Sequence, residues 1–154
     1  MRREKGLNNQ ENEMKRLAVA AMVVLAAGAA QAQDFDLAAG EKVFAKCKAC
    51  HAVGPGAKNK VGPELNGLIG RPVASVEGFK YSTGDGSMTA FGEGKTWDAA
   101  ELEAYLPKPK DLVPKTKMAF AGLKKPEDIT NVIAYLASFD AEGNSVDPAT
   151  VIGQ

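Results

Sequence analysis

The sequence predicts a small all-α domain, with three main helices and long loops that surround a bound group. Apolar residues recur at helical spacing in two segments, and a third segment has clear helix start and stop signals. The region from Ala52 to Lys95 is rich in Gly and Pro and has neither a strand period nor a long-helix period. A loop of that length inside a small domain requires something other than side chains to fill its centre.

The first helix is expected to start after Asp36, a favourable N-cap residue, and to run to about Cys47. Leu37, Val43 and Phe44 have helical spacing within it. Gly40 offers a position where another backbone can come close. The helix would therefore deliver the two cysteines at its end.

Two further helices are expected in the second half of the chain. Thr96 is predicted to start one of them, and Pro107 and Pro109 end it. Pro126, at a first helical turn, opens the other. The apolar face of this last helix comprises Ile129, Val132, Ile133, Leu136 and Phe139.

The 154 residues suffice for one domain behind an export leader. Residues 1–32 are predicted to be a leader, with a signal peptide at 14–32 that has a basic start, an apolar stretch and a small-x-small cleavage site at Ala30-Gln31-Ala32. Met14 is expected to be the true start, because residues 1–13 are polar and fit no part of a signal peptide. The apolar stretch of about 14 residues is shorter than the roughly 20 that a permanent membrane helix needs. We therefore expect a soluble periplasmic protein, with a domain at 33–139 and a flexible tail at 140–154.

From Gln33 onward the chain has 14 Lys and Arg against 16 Asp and Glu, a net charge of −2. This balance gives no reason to expect a nucleic-acid partner. The expected product is a monomer.

Cys47-Lys48-Ala49-Cys50-His51 has the form Cys-x-x-Cys-His, which is used to attach a c-type haem. The two thiols add to the vinyl groups of the haem, and the adjacent histidine ligates the iron. One covalently bound haem c would also fill the centre of the domain.

Three other interpretations of the cysteine pair agree less well with the sequence. A thioredoxin-like redox pair requires alternating strands and helices, which the sequence does not predict. A structural zinc site requires four ligands, and the chain has no Cys or His beyond Cys47, Cys50 and His51. A plain disulfide leaves the long central loop unexplained. Haem attachment is the favoured interpretation.

The sixth ligand of the iron can be methionine, lysine, water or nothing. The mature chain retains two methionines, Met88 and Met118. Met88 lies in a loop rich in Gly and Ser, whereas Met118 lies in an irregular segment between two predicted helices. Met118 is favoured, and Met88 stays open at this point.

In combination, these and further motifs resemble the class I cytochromes c, which include mitochondrial cytochrome c and bacterial periplasmic cytochromes of the c2 type. The resemblance covers about Asp36 to Ser138. Besides the haem motif, it rests on Gly62-Pro63-Glu64-Leu65-Asn66-Gly67-Leu68-Ile69-Gly70-Arg71, Gly78-Phe79-Lys80-Tyr81, Trp97, Tyr105-Leu106 and Lys115-Thr116-Lys117-Met118-Ala119-Phe120-Ala121-Gly122.

The resemblance implies the class I cytochrome c fold and a role for each matching residue. His51 and Met118 would ligate the iron, and the carbonyl of Pro63 would accept the imidazole N–H. Arg71 would lie near a haem propionate, and Tyr105 near the methionine sulfur. Tyr81, Trp97 and Thr116 would hydrogen-bond the propionates or their surroundings. Gly40 and Phe44 would pack against Tyr135 and Leu136.

Two protein ligands leave no open coordination position, which favours a one-electron carrier over an enzyme. A peroxidase or a gas-binding haem protein would need Met118 to be absent or labile. The resemblance implies a membrane quinol:cytochrome c oxidoreductase as donor, and a respiratory cytochrome oxidase or photosynthetic reaction centre as acceptor. Docking is expected to be transient and electrostatically steered by Lys46, Lys48, Lys58, Lys60, Lys108, Lys110, Lys115, Lys117, Lys124 and Lys125.

Overall fold

The computed structural model of this chain describes residues 35–153. Within that range it has six helices, which we number α1 (Leu37–Phe44), α2 (Met88–Phe91), α3 (Ala99–Tyr105), α4 (Pro109–Leu112), α5 (Pro126–Ala137) and α6 (Pro148–Ile152). The same residues form no strand, only isolated antiparallel bridges. The all-α prediction is confirmed. The predicted leader, with its signal peptide and the expected start at Met14, lies outside the described residues.

Helix α1 begins as expected, since the carboxylate of Asp36 accepts a hydrogen bond from the amide of Ala39 at 2.9 Å. It ends at Phe44, before the predicted end at Cys47. The chain then tightens into turns, in which the amide of Cys47 donates to the carbonyl of Phe44 at 2.7 Å and that of Cys50 to Cys47 at 3.0 Å. The haem motif therefore lies on tight turns directly after the helix.

Helices α1 and α5 cross at Gly40. A Cβ atom on Gly40 would overlap the carbonyl oxygen of Asn131 and lie 2.8 Å from the Cβ of Tyr135. The rings of Phe44 and Tyr135 are 5.5 Å apart, and Leu136 is buried in the same core as Phe44. The contact expected between the first and last helices is therefore present, and it depends on a residue without a side chain.

Helix α3 starts later than predicted. The N-cap is Asp98, whose carboxylate accepts from the amide of Glu101 at 2.7 Å. Thr96, the predicted start, instead forms an extended bridge with Pro72. The amide of Trp97 donates to the carbonyl of Arg71 at 2.9 Å, and this pairing keeps the chain extended up to the cap.

Three short helices differ from the prediction, namely α2 and α4, described here, and α6, which lies in the expected tail. Pro109 was expected only to end a helix, but it occupies the first turn of α4. The segment around Met88 was expected to be loop, and it forms α2 with Ser87 as a fully buried cap. Helices of one turn are marginal by themselves, so the contacts around them decide whether they form.

Helix α5 opens at Pro126 as predicted. Four of the five residues of its predicted apolar face are buried, and Phe139 lies just beyond its end with partial exposure. The core that includes this face also contains residues from the loops and from α1 and α3, among them Phe44, Leu68, Trp97, Leu102, Tyr105, Val113 and Leu123.

Residues 140–153 differ from the loose tail expected from their composition. They form a hydrogen-bonded turn that is followed by α6, which is capped by the carboxylate of Asp147. Pro148 is buried, and Ile152 packs against the core. Polar residues and glycine are typical of a loose segment, which is what composition predicted. Here the same residues form a turn, and composition could not indicate it because the turn depends on packing against distant parts of the chain.

Candidate haem site

Cys47 and Cys50 are free, half-buried thiols on the turns after α1. Burial raises the pKa of the Cys47 thiol, and the neighbouring ammonium group of Lys46 opposes this rise. The amide of His51 donates to the carbonyl of Cys47 at 2.9 Å, so the histidine continues directly from the same turn. The three residues of the motif are therefore held by one short stretch of backbone.

The His51 ring is oriented by a backbone carbonyl. Its Nδ1 lies 2.7 Å from the oxygen of Pro63, which can only accept, so Nδ1 carries the hydrogen and Nε2 is left with its lone pair. Burial lowers the pKa of His51, while the hydrogen bond to Pro63 opposes that effect in part. The imidazole is therefore neutral near pH 7, with Nε2 able to bind a metal.

Gly62 backs the same ring. A Cβ atom there would overlap Cε1 of His51 and lie 2.8 Å from Nδ1. The amide of Gly62 donates to the carbonyl of Cys50 at 2.8 Å, which holds the glycine in this position. The close approach restricts the imidazole on one side.

Arg71 is bound within the loop that follows Pro63. Its guanidinium contacts the carboxylate of Glu64 at 2.7 Å, the carbonyl of Glu64 at 2.9 Å and the carbonyl of Asn66 at 2.8 Å. Its positive charge contributes to lowering the pKa of His51 and opposes the rise in the pKa of Tyr81. Arg71 is therefore close enough to both rings to affect their protonation.

Tyr81 lies at the start of a separate loop, with its ring edge-on to Phe79 at 4.8 Å. Its hydroxyl accepts from the amide of Val76 at 3.3 Å. Burial raises the pKa of this hydroxyl, which is therefore protonated at neutral pH and available as a donor.

Trp97 and Tyr105 are buried neighbours whose ring centres are 5.1 Å apart. The hydroxyl of Tyr105 is buried and lacks a hydrogen bond of good geometry to any residue of the described range. Burial raises its pKa, and the nearby Thr116 side chain offsets this only in part. The hydroxyl thus remains a protonated donor without a good protein partner.

Met118 lies in an irregular segment and packs against the same core as Trp97 and Tyr105. Its amide donates to the hydroxyl of Thr116 at 3.1 Å, and the amide of Lys115 donates to the carbonyl of Gly86 at 2.8 Å. The segment that contains Met118 is therefore fixed by hydrogen bonds of the residue before Thr116, Lys115, and of Met118 after it.

The Lys117 ammonium group adds a tie to another loop, since it donates to the carbonyl of Lys80 at 3.0 Å. Met88, the alternative ligand, is instead the first residue of α2, with its amide bonded to the hydroxyl of Ser82 at 2.9 Å. Its half-buried side chain also packs against the core.

Three residues of this region received no individual role from the sequence. Glu64 is the ion-pair partner of Arg71, Gly62 contacts the His51 ring, and the buried Asn66 side chain bonds both backbone groups of Gly54. The sequence offers a weak signal for the ion pair, since Glu64 is an acidic residue seven positions before Arg71. The other two contacts involve backbone groups distant along the chain, which no local pattern indicates.

The residues present fit a covalently bound haem c. Two free thiols lie next to a neutral histidine whose Nε2 bonds no residue of the described range, and a half-buried thioether is available in Met118. The Tyr105 hydroxyl, which has no hydrogen bond of good geometry within the described range, offers a buried donor for a polar group in the same region. Soft sulfur and imidazole donors suit iron in a haem.

Comparison with known proteins agrees with this donor set. A family model described as Cytochrome c matches residues 37–140. Cytochrome c2 of Afifella marina is 55% identical over 108 residues, covering 70% of this chain and 85% of that protein. Cytochrome c2 of Blastochloris viridis is 46% identical over 123 residues, covering 80% and 93%. The solved structure of cytochrome c2 from Rhodospirillum centenum has a TM-score of 0.61 at 41% identity, covering 68% of this chain and 98% of that one.

The chain therefore belongs to the cytochrome c family. More narrowly, it is a class I cytochrome c of the c2 type, an electron carrier with one covalently bound haem c that is attached through Cys47 and Cys50.

Proposed function

We propose that this protein carries single electrons on a haem whose iron is ligated by Nε2 of His51 and by the sulfur of Met118. The observation that carries the proposal is the 2.7 Å contact between Nδ1 of His51 and the oxygen of Pro63. It commits one ring nitrogen to the protein and leaves the other for the metal. His51 is also the only histidine of the chain.

The proposed distal ligand is Met118 and not Met88. The amide of Met118 donates a hydrogen bond to the hydroxyl of Thr116, and the ammonium group of Lys117 donates one to the carbonyl of Lys80. These bonds restrict the segment without engaging the thioether. A ligand segment of this kind lets the sulfur keep one position in both oxidation states of the iron.

The other site residues are proposed to surround the haem. Pro63 orients the imidazole, and the buried Tyr105 hydroxyl is proposed to lie near the methionine sulfur. Arg71 and the Tyr81 hydroxyl provide donors for the propionates, although the Arg71 guanidinium already bonds Glu64. Trp97 and Thr116 complete the set by packing and hydrogen bonding near these groups.

The bound haem supplies a reversible one-electron couple, whose potential a thioether ligand raises. The chain would contribute two ligands, His51 and Met118, and a surrounding that includes the buried side chains of Trp97 and Tyr105. With His51 and Met118 as its two protein ligands, the iron would offer no open position to a substrate unless Met118 were displaced. We therefore propose a carrier without an enzymatic activity of its own.

Membrane complexes are the proposed partners, with a quinol:cytochrome c oxidoreductase as donor and a cytochrome oxidase or photosynthetic reaction centre as acceptor. The ten lysines predicted to guide docking are all exposed. Within the described range, only Lys46 and Lys108 of this group form ion pairs with carboxylates. The remaining ammonium groups keep their charge available to steer an acidic partner.

Export to the periplasm is also part of the proposal, with a signal peptide at residues 14–32 and a soluble, monomeric mature protein. Among residues 35–153, no helix combines the length and the apolar composition that membrane crossing requires. The leader pattern at the N-terminus supports export directly.

The absorption spectrum of the oxidised protein tests the ligand assignment. A weak long-wavelength band from sulfur-to-iron charge transfer is expected in the unchanged protein and in Met88→Leu, and it should disappear in Met118→Ala. Met88→Leu is the matched control, because both methionines are half-buried and pack against the same core. A high-spin spectrum of the unchanged protein would contradict the proposal and favour a peroxidase or a gas-binding protein.

A further inference from the structure

Residues 139–146 form a closed turn beyond α5, which we call the C-terminal turn. Phe139 and Ser145 form an antiparallel bridge, and the amide of Asp140 donates to the carbonyl of Asn144 at 3.0 Å. The Asp140 carboxylate accepts from the amide of Asn144 at 2.7 Å and from its side-chain nitrogen at 3.1 Å. The turn is therefore held by its own hydrogen bonds.

This turn lies against the base of the loop formed by residues 54–67, which we call the proximal loop because it contains Pro63. A Cβ atom on Gly143 would overlap the carbonyl oxygen of Gly54 and lie 2.7 Å from Nδ2 of Asn66. Gly143 is buried and has a φ of +83°. Only a glycine allows both this backbone conformation and this closeness.

A second contact joins the same two segments. The amide of Gly67 donates to the carbonyl of Phe139 at 3.2 Å. A Cβ atom on Gly67, whose φ is +56°, would lie 2.9 Å from the Cα of Ala141. The C-terminal turn therefore contacts the proximal loop near both of its ends, at Gly54 and at Gly67.

The proximal loop is closed at its base by Asn66. Its side-chain oxygen accepts from the amide of Gly54 at 2.7 Å, and its Nδ2 donates to the carbonyl of Gly54 at 3.1 Å. The amide of Leu65 donates to the carbonyl of Ala52 at 2.9 Å. Pro63 lies two residues before this closed base, so the position of its carbonyl depends on the base staying closed.

We propose that the C-terminal turn clamps the base of the proximal loop and thereby positions the Pro63 carbonyl against the His51 imidazole. Gly143 and Asn66 act as positioning residues. They hold the Pro63 carbonyl, which is the hydrogen-bond partner of His51, without contacting His51 itself. The inference rests on the proposed function, in which His51 is the proximal ligand. The family match ends at residue 140, so most of the clamp lies outside the range that identifies the family.

Hydrogen exchange in the reduced, haem-loaded protein tests the clamp, measured by NMR in Gly143→Ala and in Gly94→Ala. Gly94 is the matched control, because its φ of +70° imposes similar backbone strain while an added Cβ would meet no atom within 4 Å. In Gly143→Ala, we expect about tenfold faster exchange at the amides of Gly54, Leu65 and Gly67 and at Nδ1–H of His51. Exchange at these groups should stay unchanged in Gly94→Ala.

The amide of Leu123 reports on the remainder of the fold, since it bonds the carbonyl of Leu106 at 2.9 Å, away from both segments. It should exchange at the same rate in both variants. Equal acceleration at Leu123 and at the proximal loop would mean general destabilisation and would overturn the clamp. Unchanged exchange at the proximal loop would overturn it as well.

If Gly143→Ala does not take up haem, Asp140→Ala is used in its place. This change removes the carboxylate that bonds Asn144 and so weakens the turn without adding an atom. The same selective pattern is expected, and its absence has the same meaning. The outcome is separable from that of the proposed function. If the unchanged protein has the iron–sulfur band but no variant shows faster exchange confined to the proximal loop, the clamp alone is overturned. If the unchanged protein has a high-spin spectrum, the ligand assignment is overturned.

Discussion

The His51 imidazole is constrained on two sides by residues that contribute only backbone atoms. Pro63 offers its carbonyl to Nδ1 of His51, and Gly62 leaves space for the ring where a side chain would overlap it. A hydrogen bond from a metal-bound histidine to a carbonyl makes the imidazole a stronger donor to the metal. In the proposed ligand His51, these two neighbouring residues would control both the donor strength of the imidazole and its orientation.

Replacing Gly62 by alanine tests the steric part of this constraint. The added methyl group would overlap the His51 ring, so the ring or the loop must move, at a cost of about 1–3 kcal/mol in the free energy of unfolding. Urea unfolding of the haem-loaded protein measures this change. Gly153→Ala is the control, because its φ of −84° is ordinary and its new Cβ would meet only the carbonyl of Ala149, at 3.2 Å. Equal stability of the two variants would contradict the prediction.

At the scale of elements, the packing of α1 on α5 places the haem motif relative to the rest of the fold. The helix pair is joined at Gly40, and the amide of Asp36 also bonds the side chain of Asn131 at 3.0 Å. Because the cysteines follow α1 almost directly, a displacement of that helix would carry both attachment residues with it.

The substitution Gly40→Ala is therefore expected to destabilise the protein by about 1–3 kcal/mol, through overlap with the α5 backbone at Asn131. Helix propensity acts in the opposite direction, since alanine is better than glycine in a helix by about 1 kcal/mol. Ala38→Gly, at an exposed position of the same helix, measures that propensity alone. Thermal or urea unfolding of both variants checks the balance, and a stabilised Gly40→Ala would show that the helices can separate at little cost.

At the scale of the whole molecule, the charge distribution matters more than the net charge. From Gln33 onward the chain is slightly acidic, yet the haem-binding and distal segments contain or adjoin ten exposed lysines. The proposed docking would let a slightly acidic protein direct these lysine-rich segments toward an acidic partner. Steering of this kind raises the association rate and becomes weaker as salt is added.

Charge reversal at Lys58 tests the steering. Lys58→Glu is expected to lower the second-order rate of reduction by a quinol:cytochrome c oxidoreductase by roughly 2- to 10-fold at low ionic strength, with a smaller difference at high salt. Lys42→Glu in α1 makes the same change in net charge outside the predicted docking segments. Both lysines are exposed and form no ion pair with a carboxylate of the described range. Equal effects of the two reversals would refute the basic docking face.

Much of the fold was predictable from local patterns. The cap at Asp36 and the start of the last helix at Pro126 were correct, since a capping side chain and a first-turn proline act within a few residues. The start of α3 was wrong, because Thr96 pairs with Pro72 across the fold and only Asp98 is free to cap. The roles of individual site residues stay predictions, although the contact between His51 and Pro63 is present.

The sequence by itself determined the chemistry of this protein. Cys47, Cys50 and His51 lie within five consecutive residues, and only two methionines, Met88 and Met118, occur from Gln33 onward. Only the tertiary structure decided which groups surround that chemistry, including the second nitrogen of His51, the partner of Arg71 and the packing of residues 140–153. The physical reason is range, because attachment motifs and caps act between neighbours, whereas these contacts join segments that meet only when the core is packed.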